Sequence, residues 1–165
     1  MSELQKSLQF SEATVRQAEI IFKRYPAERR ESALLPVLHL AQREFGGWLS
    51  QEALDYVAAF MGMPPLRVYE VATFYTMYNL KPVGKHHVRV CTNISCWLCG
   101  SDAIVQTLQD KLHLKMGETS ADGRFTLDHV ECLGACVNAP IVHIGDDYYE
   151  NMTPDTVSKI IDQLP

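Results

Sequence analysis

Five cysteines fall in two tight groups, three between residues 91 and 99 and two at 132 and 136, with none in the first ninety positions. No other feature constrains the fold as much. The chain must give the segments Cys91-Thr-Asn-Ile-Ser-Cys96-Trp-Leu-Cys99 and Cys132-Leu-Gly-Ala-Cys136 a shared purpose, or tolerate scattered reactive sulfur. The odd number fits poorly with a disulfide framework. Metal ligation is the better starting point, because close thiolates repel strongly in a partly dry site unless a cation neutralises them.

The start, Met1 to Phe10, has neither an apolar signal core nor an Arg-rich presequence. No apolar run approaches the roughly 18 to 20 residues that span a bilayer. The expectation is a soluble chain with no direct membrane insertion. Hydrophobic residues make up 47% of the sequence, enough for a buried core. A formal charge of -5 and the lack of any basic run argue against nucleic acid as a partner.

Hydrophobic spacing changes along the chain. Ser11 predicts a cap for a helix carrying Val15, Ala18, Ile21, Phe22 and Tyr25, stopped by Pro26. Leu34, Val37, Leu38, Ala41 and Phe45 predict a second helix ending at Gly46-Gly47. Ser50 caps a third with Leu54, Val57, Ala58 and Met61, closed by Gly62; Pro64-Pro65 opens a fourth through Val68, Val71 and Phe74 towards Met77. Short connections favour a small bundle. The polar connector Lys81-Pro82-Val83-Gly84-Lys85 divides this helical part, 1–82, from a second part, 83–165.

Beyond it the period becomes two. Val88 and Val90 alternate with polar neighbours, as do Phe125 and Leu127, and Ile141, Val142 and Ile144 make a further strand that turns at Gly145-Asp146 into Tyr148-Tyr149. Ser101 predicts the cap of a helix with Ile104, Val105, Leu108 and Leu112 inward; Thr153-Pro154 opens a last helix with Val157, Ile160, Ile161 and Leu164. The order is β-α-β-β-β-α, or one strand fewer if the short ones merge. The fold class is α+β: a helical bundle followed by a small sheet covered by two helices.

Each cysteine group follows a predicted strand. If the two strands are neighbours, both loops emerge from one end of the sheet and two pairs of thiols converge. A 2Fe-2S cluster would be held by four such thiolates, leaving about two net negative charges when oxidised. Small residues at Gly134 and Ala135 would let backbone N–H groups approach the cluster sulfurs, while Asp102, Asp128 and Glu131 could oppose reduction. Spacing leaves rivals open. Cys96-x2-Cys99 suits structural zinc or a thioredoxin-type redox pair. Cys91-x4-Cys96-x2-Cys99 matches plant-type ferredoxin spacing, which would make Cys99 a ligand.

At these residues the chain resembles the small 2Fe-2S subunit family of NADH:quinone oxidoreductase, respiratory complex I. The resemblance covers most of the chain: Val71-Ala-Thr-Phe-Tyr75, Cys91-x4-Cys96, Gly117-Glu-Thr, Phe125-Thr-Leu127, Glu131-Cys-Leu-Gly-Ala-Cys-Val-Asn-Ala-Pro140 and Asp146-Asp-Tyr-Tyr-Glu150. It implies that one 2Fe-2S cluster is held by Cys91, Cys96, Cys132 and Cys136, with Cys99 a bystander. It implies a thioredoxin-like second domain, with the helical domain docking a flavoprotein. It also implies that FMN and NADH are bound by that flavoprotein subunit, that further complex I subunits are partners, and that the chain works at the cytoplasmic face of the bacterial inner membrane. Related subunits serve NAD-linked hydrogenases and formate dehydrogenases.

Other residues point to less. His86-His87 imitates half of a Rieske-type centre, but four cysteines already suffice, so a surface pair is expected. Phe74, Tyr75, Met77 and Tyr78 form an aromatic group suited either to core packing or to an interface. No glycine-rich dinucleotide loop follows a strand and no catalytic nucleophile is evident, so no catalytic residue is expected on this chain.

Overall fold

The computed structural model describes residues 8–165. The chain forms two compact units that divide between Pro82 and Val83.

The first unit is helical. α1 (Glu12–Phe22) starts where the Ser11 hydroxyl accepts from the Thr14 N–H. A 3₁₀ segment, Ala27–Ala33, which the spacing does not predict, leads into α2 (Leu34–Glu44). α3 (Gln51–Met61) is capped by Ser50 and closed by Gly62, whose φ of 69° needs no side chain to be accommodated. α4 (Pro65–Phe74) takes its first residue from proline. Val37, Leu38, Leu49, Val57 and Val68 are fully buried at the centre.

α4 ends at Phe74 and does not reach Met77. The residues beyond the helix account for this. Tyr78 is buried, its hydroxyl donating to the Leu35 carbonyl at 2.8 Å, and Gln42 holds both the Met77 carbonyl and the Asn79 N–H. Those bonds satisfy a chain that has left the helix to return Tyr78 to the core. Core packing therefore applies to Tyr78, whereas Phe74 stands 76% exposed.

The second unit is a five-stranded sheet with two helices on one face. The strands are β1 (His86–Cys91), β2 (Glu118–Thr119), β3 (Phe125–Val130), β4 (Val142–Ile144) and β5 (Asp147–Tyr149), in the order β2-β3-β1-β4-β5. β1 and β3 are parallel and every other pairing is antiparallel. A short helix α5 (Ile94–Leu98) precedes α6 (Ser101–Leu112), and α7 (Pro154–Gln163) closes the unit behind a Thr153 capping box. Ile104 and Leu108 of α6 and Val157 and Ile161 of α7 pack on Val88, Val90, Leu127, Val142 and Ile144.

Two elements differ from expectation. β2 is a two-residue strand with no alternating signal, formed by pairing with β3. The cap of α6 is Gly100 at φ 93°; Ser101 is the first helical residue, with its hydroxyl fully buried.

Candidate metal centre

Parallel pairing of β1 with β3 creates the site. Cys91 lies opposite Val130 in that register, so the chain leaving each strand emerges from the same end of the sheet. One exit carries Cys91, Cys96 and Cys99, the other Cys132 and Cys136. An antiparallel pair would have sent these segments to opposite ends. The Thr92 N–H donates to the Val130 carbonyl at 3.2 Å and the Cys91 N–H to the Ile141 carbonyl at 3.1 Å, tying the first exit to its neighbours.

The first segment then coils. The Asn93 side-chain oxygen accepts from the Ile94 N–H at 2.7 Å and opens α5, which carries Cys96 inward. The sequence reads here as a loop, although an asparagine before an apolar residue is a usual helix start. Cys91 and Cys96 are buried with Ile141 in a small apolar cluster to which Val130, Leu133, Ala135 and Ala139 add. Cys99 ends α5 and is exposed. Asp102, an acid read as a possible opponent of reduction, accepts from the Trp97 indole N–H at 2.8 Å.

The second segment bends more tightly. Gly134 adopts φ 76°, a left-handed conformation that disfavours any residue with a Cβ. In that conformation its N–H donates to the Cys132 sulfur at 3.3 Å. Of the two small residues expected to approach cluster sulfurs, Gly134 thus donates to the thiol of Cys132, a candidate ligand. Cys136 begins a short 3₁₀ turn, Cys136–Asn138.

All five cysteines are free thiols. Burial pushes the Cys96 thiol up to about 11, helped by the Cys91 side chain and by the negative charge that Cys91 and Cys136 would carry. Three sulfurs from both loops therefore share one electrostatic neighbourhood. Cys132 lies on the same short segment as Cys136, exposed and held by Gly134. Among the described residues, no three His, Cys, Asp or Glu side chains form a ready-made ion site. A two-iron unit takes four thiolates, one pair on each iron. The donor set fits: five thiols, three on the first segment and two on the second, leave from one end of one sheet, enough for the four that a cluster takes.

The model of the family "Thioredoxin-like [2Fe-2S] ferredoxin" matches residues 18–165. The chain belongs to this family. Its cofactor is accordingly a 2Fe-2S cluster. The chain is similar to the E subunit of NADH-quinone oxidoreductase from Rickettsia bellii (strain RML369-C), 56% identical over 155 residues that make up 94% of this chain and 93% of the relative. It is also similar to "NADH dehydrogenase [ubiquinone] flavoprotein 2, mitochondrial" of Dictyostelium discoideum, 46% identical over 94% of this chain and 63% of that protein. Among solved structures, an NAD+-reducing NiFe-hydrogenase in the air-oxidised state superposes with a TM-score of 0.68 at 20% identity, over 79% of this chain and 22% of the hydrogenase chain. That is a likeness of fold.

The histidines do not join the thiols. His86 Nε2 lies 2.8 Å from the Pro165 carbonyl oxygen at the other end of β1 from Cys91. His87, expected at the surface, is half-buried with Nε2 3.7 Å from Asp128 Oδ2, too long for a hydrogen bond and within ion-pair reach. The neighbouring His87, with the His129 N–H, holds the Asp128 carboxyl below its ordinary range.

Proposed function

We propose that this chain is an electron-transfer subunit of NADH:quinone oxidoreductase, carrying one 2Fe-2S cluster on Cys91, Cys96, Cys132 and Cys136 beside an FMN-containing, NADH-oxidising flavoprotein subunit. The observation that carries the reading is the parallel register of β1 and β3, which delivers a cysteine pair from each loop to one end of the sheet. The Rickettsia relatives support the parent complex, because similarity to them runs nearly the full length of both chains. When bound, the cluster supplies a site that holds a single electron.

The chain's own residues do the rest. Burial of Cys91 and Cys96 keeps water from two of the sulfurs, while the exposed second loop leaves the centre open to a partner. The Gly134 N–H stabilises negative charge on the Cys132 sulfur. Cys99 projects from the end of α5 and takes no part. Residues 1–82 dock the flavoprotein, using the exposed aromatic pair Phe74 and Tyr75 at the end of α4, whose rings meet edge to face with centroids 5.0 Å apart. Exposed aromatics of this kind are enriched at interface cores.

Among the described residues, no helix is long and apolar enough to cross a membrane. Attachment to the cytoplasmic face of the bacterial inner membrane is through the other subunits of the complex. NADH and FMN stay on the flavoprotein.

The test is reconstitution. Purified chain absorbs in the visible and bleaches with dithionite; mixed with its flavoprotein subunit it forms a soluble heterodimer that reduces artificial acceptors with NADH. A colourless zinc protein that takes up no iron contradicts the reading. So does NADH oxidation by this chain without FMN or partner.

A further inference from the structure

Alternation along β1 places Val88 and Val90 under α6 and α7, and leaves His87, Arg89 and Cys91 on the opposite face. The register extends a polar row across that face. Asp128 of β3 and His143 of β4 both lie opposite Arg89, and Tyr148 of β5 lies opposite His143, against whose ring it packs with centroids 4.7 Å apart. Arg89 is the one permanent cation of this row.

That cation makes no close ion pair; Asp128, opposite it on β3, favours its charge only from a distance. Its Nε is buried without a hydrogen bond, and among the described residues no ion pair holds the guanidinium. Asp128 is turned to His87 and to the His129 N–H. Burial lowers the Arg89 pKa, opposed by Tyr148 and Asp128, yet an arginine stays charged at any working pH. Burial, and then the charge of Arg89, lowers the His143 pKa. A half-buried charge without a close ion pair is costly, and a buried Nε without a hydrogen bond calls for an explanation.

Cys91 is the next residue on the same face, two strand steps or about 7 Å along β1. The cluster held there carries about two negative charges when oxidised and one more when reduced. We propose that Arg89 sets the redox poise of the cluster, its fixed positive charge favouring the reduced state. This rests on the proposed cluster assignment. The step is a one-electron transfer with no proton moved by Arg89: the electron comes from the reduced flavin of the partner, or from dithionite in a titration. Arg89 touches neither donor nor substrate, so its role is one of positioning charge.

A unit charge about 12 Å away, at an effective dielectric near 20, shifts such an equilibrium about tenfold. The experiment is a redox titration of the full-length, cluster-loaded chain followed by EPR, comparing wild type, Arg89→Lys, Arg89→Gln and Arg89→Ala. In both neutral variants the ratio of reduced to oxidised cluster at a fixed potential should fall about tenfold, equal to about 59 mV for one electron. Arg89→Lys should stay within about twofold of wild type. Unchanged EPR line positions would show that the ligands are the same. Neutral variants that titrate with wild type overturn the proposal and leave the cluster assignment standing. Should the neutral variants lose the cluster while Arg89→Lys keeps it, the charge is needed to hold the anion, which supports the proposal. Loss in all three variants makes Arg89 a packing residue and overturns it. A wild-type chain that takes up no cluster overturns both readings.

Discussion

Cys96 shows how one side chain can be placed by its neighbours. It lies in α5, opened by Asn93, against Ile141 and Cys91, and burial pushes its thiol up to about 11. In the metal-free chain it stays protonated at neutral pH. Because the folded value is raised, the neutral thiol adds stability below the unfolded pKa of about 8.5. That contribution is lost as pH climbs towards 11. The reactive form is the thiolate, and access matters as much. Alkylation of the metal-free chain at pH 7.5 should therefore label Cys99, Cys132 and Cys136 first and Cys91 and Cys96 last, read by peptide mass mapping. Equal labelling of Cys96 and Cys99 would contradict that burial. The candidate ligands were legible in the sequence because cysteines grouped this closely have few other uses. Gly134 stood out in the sequence as small, but the left-handed φ that turns its N–H to the Cys132 sulfur was not legible. That Arg89 makes no close ion pair was not legible: alternation marks it as half-exposed polar, and only the register reveals that Asp128 lies opposite.

At the scale of elements, close contact between chain segments explains what local pattern could not. Gly84 crosses β3 so tightly that an added Cβ would stand 2.7 Å from the Phe125 carbonyl carbon and 2.9 Å from its nitrogen. The Gly84 N–H also donates to the buried Thr126 hydroxyl at 2.6 Å. Gly84→Ala should therefore force the incoming strand away from β3, lowering the stability of the second unit by about 1–3 kcal/mol in a urea titration. A loss below about 0.3 kcal/mol would show that the segment gives way freely. Long helices such as α2 and α3 were readable because three turns of periodic burial repeat the same message. α5 and β2 were not, being five and two residues long and held by a cap and by cross-strand pairing. The end of α4 escapes pattern reading for a related reason: apolar spacing continues to Met77, yet the buried Tyr78 pulls the chain out of the helix.

For the whole molecule, a switch from helical to alternating period already separated a helical part from a sheet. Each unit has its own buried core, one around Leu38 and Val57, the other around Val88 and Leu108. Strand direction was the decisive fact that periodicity could not supply. Two strands followed by cysteines suit a zinc module, a plant-type site or separate loops equally well until they are known to be parallel neighbours. Once they are, thiols from both loops stand at one end of the sheet, where a single centre can draw on both. The most direct measurement is iron and sulfide content with dithionite-reduced EPR for two variants of the full-length chain, Cys136→Ser and Cys99→Ser. Cys99→Ser should keep two irons, two sulfides and one unpaired spin per chain, while Cys136→Ser loses or alters that signal. An intact signal in Cys136→Ser with loss in Cys99→Ser would place the cluster on Cys91, Cys96, Cys99 and Cys132 and contradict the account.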